Sequence, residues 1–144
     1  MPLAVLSAVA FGAASGGIAG LFVVRFRIAP FIATLALMTI WRGAAFVVTE
    51  GRPVWELPEG FGALAGARAA GVPVPTLIML AVYAAAHVTL VHTRFGRYVL
   101  AVGGNREAAR LAGIAIGRLT AGVYVLCGAL AAASGVLLAS RMNS

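Results

Sequence analysis

The 144-residue sequence has no lysine, no aspartate and a single cysteine, Cys127. One cysteine excludes an intramolecular disulfide framework and a thiolate metal site. Its position inside an apolar run predicts a small buried side chain. The carboxylates are four glutamates, and all of them lie between apolar runs. Because a proton-coupled exporter carries its proton on an ionisable group within the membrane, this distribution argues against a small exporter of that kind.

Charged residues of any kind are also scarce. They make up 10% of the chain, against 62% hydrophobic residues and a mean hydropathy of +1.00. Soluble domains have roughly 45–50% apolar and about 25% charged residues, so a soluble core of this size cannot hide the excess. The net charge of +7 does not indicate nucleic acid, because the arginines flank apolar runs instead of clustering with aromatic residues. The composition therefore predicts a membrane protein with lipid as its solvent.

Four apolar runs are long enough to cross a bilayer as helices, which takes roughly 20 residues each. They predict an all-α fold, a polytopic transmembrane helix bundle that forms one domain over residues 1–144. The spans are expected at about 3–24, 28–48, 74–91 and 119–139. Two longer connections separate them, an outer loop at 49–73 and a polar loop at 93–118.

The arginines predict how this bundle is oriented. Seven lie on one side, namely Arg25 and Arg27 after the first run and five more within 93–118. The opposite loop, 49–73, holds two arginines and three glutamates. Since short cytoplasmic loops carry an excess of basic residues, 93–118 is predicted to be cytoplasmic and both ends of the chain to face outward. An outward start without a cytoplasmic tail indicates that upstream spans are missing.

Gly12, Gly16 and Gly20 recur at every fourth residue of the first run and therefore share one face of a helix. Small residues at this spacing let a second helix approach closely. In lipid, such packing replaces the hydrophobic force that brings helices together in water. We therefore expect this face to be a helix-packing surface.

The polar loop contains a predicted helix of about two turns over residues 106–112. Asn105 is suited to accept hydrogen bonds from its first N–H groups, and Gly113 is suited to end it in the left-handed conformation. Glu107 and Arg110 complement the helix dipole and are spaced to form an ion pair. Because so short a helix is marginal in water, it needs a surface to lie against. That surface is either its own membrane domain with the lipid headgroups or a groove of a partner protein.

Patterns that carry catalysis or bind a cofactor are absent from the sequence. It has no GxxxxGK[ST] phosphate-binding loop and no Ser/His/Asp or Cys/His arrangement. His87 and His92 have no cysteine or carboxylate to complete a metal set. We therefore expect no catalytic residue, no cofactor and no metal site, and any ATP that drives this chain must be hydrolysed by another subunit.

Four sequence blocks resemble one family in the same order. They are PFIATLALMTIWRG at 30–43, the outer-loop motifs GRPVWELP and GVPVP, the segment TRFGRY followed by GGNREAARLAGI, and VYVLCGALAAASGVLLASRMNS at the end. Together they cover nearly all of the chain. In these blocks the sequence resembles the ribose-type permeases of ABC transporters, the membrane subunits of monosaccharide importers. Permeases of that family are much longer, so the chain is expected to be an internal fragment.

The resemblance implies a function, a location and a set of partners. It implies a membrane-spanning permease subunit of a binding-protein-dependent importer, in the bacterial inner membrane. The implied partners are a cytoplasmic ABC ATPase, a second permease subunit as in a homodimer, and a periplasmic sugar-binding protein docked on loop 49–73. It also implies a coupling helix, seated in a groove of the ATPase, formed by Gly103, Gly104, Asn105, Glu107, Ala108, Ala109, Arg110 and Leu111.

Two other functions stay open beside this one. A truncated chain that keeps the coupling loop is compatible with an inactive remnant or a passive scaffold. A small four-span proton-coupled exporter matches the length of the chain, but is disfavoured by the position of its glutamates. The sequence does not indicate which sugar is carried.

Overall fold

The computed structural model describes residues 2–52, 68–69 and 71–142, without the side chain of Ala69. Within them the helices are, in chain order, α1 (Pro2–Arg25), α2 (Pro30–Val48), α3 (Val74–His92), α4 (Arg94–Gly104), α5 (Arg106–Leu111) and α6 (Ile116–Met142). Strands β1 (Arg68–Ala69) and β2 (Val72–Pro73) pair antiparallel ahead of α3, with Arg68 opposite Pro73 and Ala69 opposite Val72.

Helices α1, α2, α3 and α6 are long and apolar enough to cross a membrane, with 24, 19, 19 and 27 residues. The prediction of an all-α bundle with about four spans is thereby confirmed, and the strands are only two residues long each. The membrane boundaries on these helices and the assignment of 1–144 to one domain stay predictions. Most of the predicted outer loop, including Glu56 and Glu59, lies outside the described residues.

Backbone geometry sets both ends of α2. Pro30 is its first residue, where a missing N–H leaves no hydrogen bond unmade. At the other end the N–H of Gly51 donates to the carbonyl of Phe46 at 3.0 Å, and that of Glu50 to the carbonyl of Val47 at 3.3 Å. Glu50 adopts a φ of 52°, the left-handed conformation that ends a helix in this way. The chain therefore leaves α2 by a sharp, hydrogen-bonded turn.

Contacts divide the chain into two compact units, residues 1–66 with 121–144, and residues 67–120. Among the described residues, the first unit holds α1, α2 and α6 from Ala121 onward. The second holds β1, β2, α3, α4, α5 and the first residues of α6.

In the first unit, α1 lies backbone to backbone against α6 along the glycine face predicted from the sequence. A Cβ added at Gly12 would lie 2.5 Å from the carbonyl oxygen of Gly128. One added at Gly16 would overlap the carbonyl oxygen of Tyr124, and one at Gly20 would lie 3.1 Å from the Cα of Ala121. Gly12, Gly16 and Gly20 are all buried. Close approach of this kind multiplies van der Waals contacts, which replace the hydrophobic drive that lipid does not supply.

The same helix α1 also contacts α2, through polar and aromatic side chains. Trp41 of α2 donates its indole Nε1–H to Ser15 Oγ of α1 at 2.7 Å. The ring of Trp41 meets that of Phe11 edge to face, with centroids 4.6 Å apart. In hydrocarbon no water is present to accept a hydrogen bond from the indole N–H. The bond to Ser15 therefore fixes both the rotamer of Trp41 and the register of the two helices.

An open groove of about 580 Å³ runs between the three helices of the first unit. Its lining is mostly apolar and includes Ser15, Thr34, Trp41, Tyr124 and Cys127. Cys127 is exposed there, so the prediction of a buried thiol is wrong. The reason is that its helix face is turned to this groove and has no helix packed over it in the described part of the chain.

Replacing Gly16 by alanine tests the backbone contact between α1 and α6. We expect the new methyl group, which meets the carbonyl of Tyr124, to lower the free energy of unfolding by ~1–3 kcal/mol. Gly17→Ala is the matched control, because its Cβ meets only a Val125 methyl at 3.5 Å. Denaturant titration in detergent, followed by circular dichroism, compares the two. Equal stability of both variants would contradict the packing.

A double-mutant cycle with Trp41→Phe and Ser15→Ala isolates the hydrogen bond between α1 and α2. We expect a coupling of ~0.6 kcal/mol and at most ~1.7 kcal/mol, the range for side-chain hydrogen bonds between helices in lipid. The four unfolding free energies are measured in the same detergent. Strictly additive effects would show that the two side chains do not interact.

Candidate functional site

The second unit contains the polar loop, and its first feature is a tight turn between α3 and α4. Thr93 joins the two helices. Its Oγ1 accepts a hydrogen bond from the N–H of Gly96 at 3.2 Å and donates one to the carbonyl of Thr89. Gly96 is buried, and a Cβ there would overlap the backbone oxygens of Thr89 and Leu90. Only glycine therefore allows α4 to begin so close to the end of α3.

Helix α4 itself was not predicted. Sequence reasoning treated the segment up to Gly104 as a loop, and assigned Gly103 and Gly104 to the coupling helix. In the structure these two glycines form the last turn of α4, directly before α5, and their place in a coupling interface stays a prediction. Glycine is a poor helix former, which is why the segment read as a loop. The signals that would have found α4 are its Thr93 cap and the separation of arginines from apolar side chains around the helix.

Helix α5 is closed at its N-terminus by Asn105, the single residue that separates it from α4. Asn105 Oδ1 accepts from the N–H groups of Glu107 at 3.1 Å and Ala108 at 3.0 Å. At the opposite end the N–H of Ile114 donates to the carbonyl of Ala109 at 3.1 Å. Gly113, at a φ of 80°, supplies the left-handed residue. The predicted caps are thus present, and α5 ends at Leu111 with Ala112 as its capping residue.

The faces of α5 differ sharply in exposure. Ala109 is 4% exposed and packs against its own chain, whereas the Leu111 side chain at the other extreme is 79% exposed. Glu107 Oε1 and Arg110 Nη2 pair at 2.6 Å across one helical turn, in solvent. Ala108 is exposed as well. Sequence reasoning counted Ala109 among the residues that approach a partner, but its burial removes it from the outer surface.

The structure therefore brings most of the predicted coupling residues onto one short, capped helix. We call the outward-facing set the α5 surface, and it consists of Asn105, Glu107, Ala108, Arg110 and Leu111. Gly12, Gly16 and Gly20 belong to the other unit and lie against α6 there. Within the described ranges, histidine, cysteine and carboxylates form no group of three or more that could hold a metal ion. The α5 surface combines an exposed ion pair with an exposed apolar side chain.

Asn105→Ala tests whether the N-cap holds α5 together. We expect it to destabilise the helix by ~1 kcal/mol, because two N–H groups lose their acceptor. Hydrogen exchange measured by mass spectrometry should report faster exchange over residues 106–111. Asn105→Asp, which keeps the acceptor, is the control and should retain the wild-type rate. Unchanged exchange in the alanine variant would contradict a role for the cap.

Comparison with known proteins finds several permease proteins that are about 40% identical to this chain. Over 146 aligned residues the chain is 43% identical to the ribose import permease protein RbsC of Escherichia coli K12, covering 99% of this chain and 46% of that protein. It is 40% identical to the ribose import permease protein RbsC of Bacillus subtilis, covering 87% of this chain and 39% of that protein. The L-arabinose transport system permease protein AraH of E. coli is 41% identical, with 87% and 38% covered.

The chain spans less than half the length of these curated relatives. No solved structure matches it. The profile of the family described as branched-chain amino acid transport system / permease component matches residues 1–144, the whole chain. Together with its four membrane-length helices, this match shows that the chain belongs to that permease family and is a multispanning protein of the bacterial inner membrane.

Proposed function

We propose that the chain acts as a membrane-spanning permease, or as part of one, in a binding-protein-dependent ABC importer for a monosaccharide. Three relatives support the substrate class, since two are named as ribose import permeases and one as an L-arabinose permease. The observation that carries the proposal is α5, a capped helix that presents the α5 surface to solvent. In this proposal α5 is the coupling helix, seated in a groove of a cytoplasmic ATPase.

The exposure of α5 fits this role better than a structural one. A two-turn helix contributes little to the stability of its own unit when Ala109 is its only buried residue. Both ends are nevertheless closed by hydrogen bonds, which order the helix before any partner binds. Preorganisation of this kind lowers the entropy that binding must overcome. Leu111 then supplies an apolar anchor worth ~1.5–3 kcal/mol when fully buried.

Short connections allow α5 to transmit a displacement to a spanning helix. Only residues 112–115 separate it from α6, and they are tied by hydrogen bonds from Ile114 N–H to the Ala109 carbonyl and from Ile116 N–H to the Ile114 carbonyl. On the other side Asn105 alone separates it from α4. A displacement of α5 would therefore also displace the start of α6. Closure of the ATPase around nucleotide would in this way rearrange the spans. This is alternating access driven from outside the membrane.

The remaining partners follow from the same proposal. ATP hydrolysis belongs to the separate ATPase subunit, because this sequence has no phosphate-binding loop. A second permease subunit, in a homodimer, would complete the pathway. A periplasmic sugar-binding protein would dock on the outer loop, 49–73, whose described start presents exposed Glu50 and Arg52.

Capture of the cognate ATPase by the chain in detergent tests the coupling role. Native chain is compared with the variant Glu107→Arg plus Leu111→Asp, which reverses the exposed charge and removes the apolar anchor. We expect capture to fall at least tenfold, since burying an aspartate in a groove costs more than 1.4 kcal/mol. Leu100→Asp on α4 is the matched control, because Leu100 is also exposed, at 61%, and lies outside the α5 surface.

Two outcomes would overturn the proposal. Full capture by the double variant would show that the ATPase binds elsewhere. Absence of capture by native chain of normal helical content would favour an inert remnant or scaffold over a working permease.

A further inference from the structure

We propose that the basic surface formed by α4 and the start of α6 binds the headgroups of anionic phospholipids. We define this headgroup surface by Arg94, Arg97, Tyr98 and Arg118. The inference is independent of the coupling role of α5, because it rests on other residues and on charge.

The position of these residues places them at a membrane boundary. Arg94 and Arg97 follow the spanning helix α3 by two and five residues, and Thr93 holds α4 tightly against the end of α3. Arg118 is the third residue of the spanning helix α6. These arginines therefore lie next to the end of α3 and at the start of α6, where the hydrocarbon ends and the phosphates of the lipid begin.

Charge at this boundary is not balanced among residues 93–118, all of which the structure describes. Residues 93–118 contain five arginines and one carboxylate, and that carboxylate, Glu107, is held by Arg110 at 2.6 Å. Arg94, Arg97 and Arg118 are exposed and form no ion pair with any residue that the structure describes. Anions from outside the chain are their natural partners, and clusters of arginine beside a spanning helix attract acidic lipid.

Shape adds to charge in this region. Phe95 and Tyr98 of α4, with residues 112–115 and Arg118 and Leu119 of α6, line an open concavity of about 380 Å³. Arg118 and Tyr98 supply its polar groups, an arginine fork and a phenol that suit phosphate oxygens. The other lining side chains are apolar, which suits the glycerol and upper acyl segments. A lipid headgroup meets both requirements at once, whereas a free inorganic anion uses only the first.

The arrangement of α4 favours lipid over a soluble partner. Phe95, Val99 and Val102 turn toward the protein, whereas the arginines lie on the opposite face. Long arginine side chains on a helix at this depth reach the phosphate layer with their charged ends and cover apolar surface with their stems.

Native mass spectrometry of the whole chain in detergent, titrated with phosphatidylglycerol or phosphatidylcholine, tests the inference. We expect phosphatidylglycerol to be retained in preference, and Arg97→Gln plus Arg118→Gln to weaken its binding about 25-fold, at about fivefold for each arginine. The preference should also fall when sodium chloride is raised to about 1 M, where the screening length drops to ~3 Å. Arg97→Lys plus Arg118→Lys, which keeps the charge, should retain most of it.

The matched control is Arg52→Gln plus Arg68→Gln, which removes two exposed arginines outside the headgroup surface, one after the end of α2 and one in β1 ahead of α3. It should bind phosphatidylglycerol as the native chain does. Equal binding of the two lipids, equal loss in the control, or unchanged binding by Arg97→Gln plus Arg118→Gln would each overturn the proposal. Loss of ATPase capture by this last variant with lipid binding unchanged would instead assign the surface to the protein partner.

Discussion

The backbone-to-backbone contact between α1 and α6 is the constraint on which the first unit depends. Lipid tails are as apolar as leucine, so helices gain nothing there by burying large apolar side chains against each other. What holds them is dense van der Waals contact, and density requires that nothing stand between the backbones. Gly12, Gly16 and Gly128 meet this condition, because any added Cβ would overlap the facing helix. The Trp41 hydrogen bond to Ser15 then fixes α2 on the same helix.

A second constraint governs the polar loop, where the chain leaves lipid for water. Short helices are unstable in water unless their ends are satisfied or a surface supports them. The loop uses local hydrogen bonds at each end: Thr93 begins α4, Asn105 begins α5, and Gly113 ends it. Each of these hydrogen bonds joins residues that are close in sequence. They order α5 although only one of its residues, Ala109, is buried. An ordered yet exposed helix is what a mechanical link to a second protein requires, and it supports the function we propose.

The two surfaces of the second unit divide that work by chemistry. The α5 surface pairs its one carboxylate internally and offers an exposed leucine, which suits a groove in a protein. The headgroup surface has arginines beside the spanning helices that form no ion pair with any described residue, which suits an anionic interface. Anchoring α4 in the phosphate layer would give α5 a fixed point to move against. The proposed transport role and the proposed lipid contact are therefore mechanically compatible, although each rests on its own residues.

Features that depend on residues close together in the chain were predictable from the amino-acid sequence. Runs of apolar residues specify four spanning helices, and the caps of α5 were predictable because Asn105 and Gly113 act within five residues of themselves. The exposure of individual side chains, in contrast, depends on how the helices pack. Whether Ala109 or Leu111 faces outward is set by how α5 lies on its unit, and the exposure of Cys127 by a groove that no local pattern encodes. Helix α4 was missed because Gly103 and Gly104 have a low helix propensity, whereas its first turn is held by the contact of Gly96 with the end of α3.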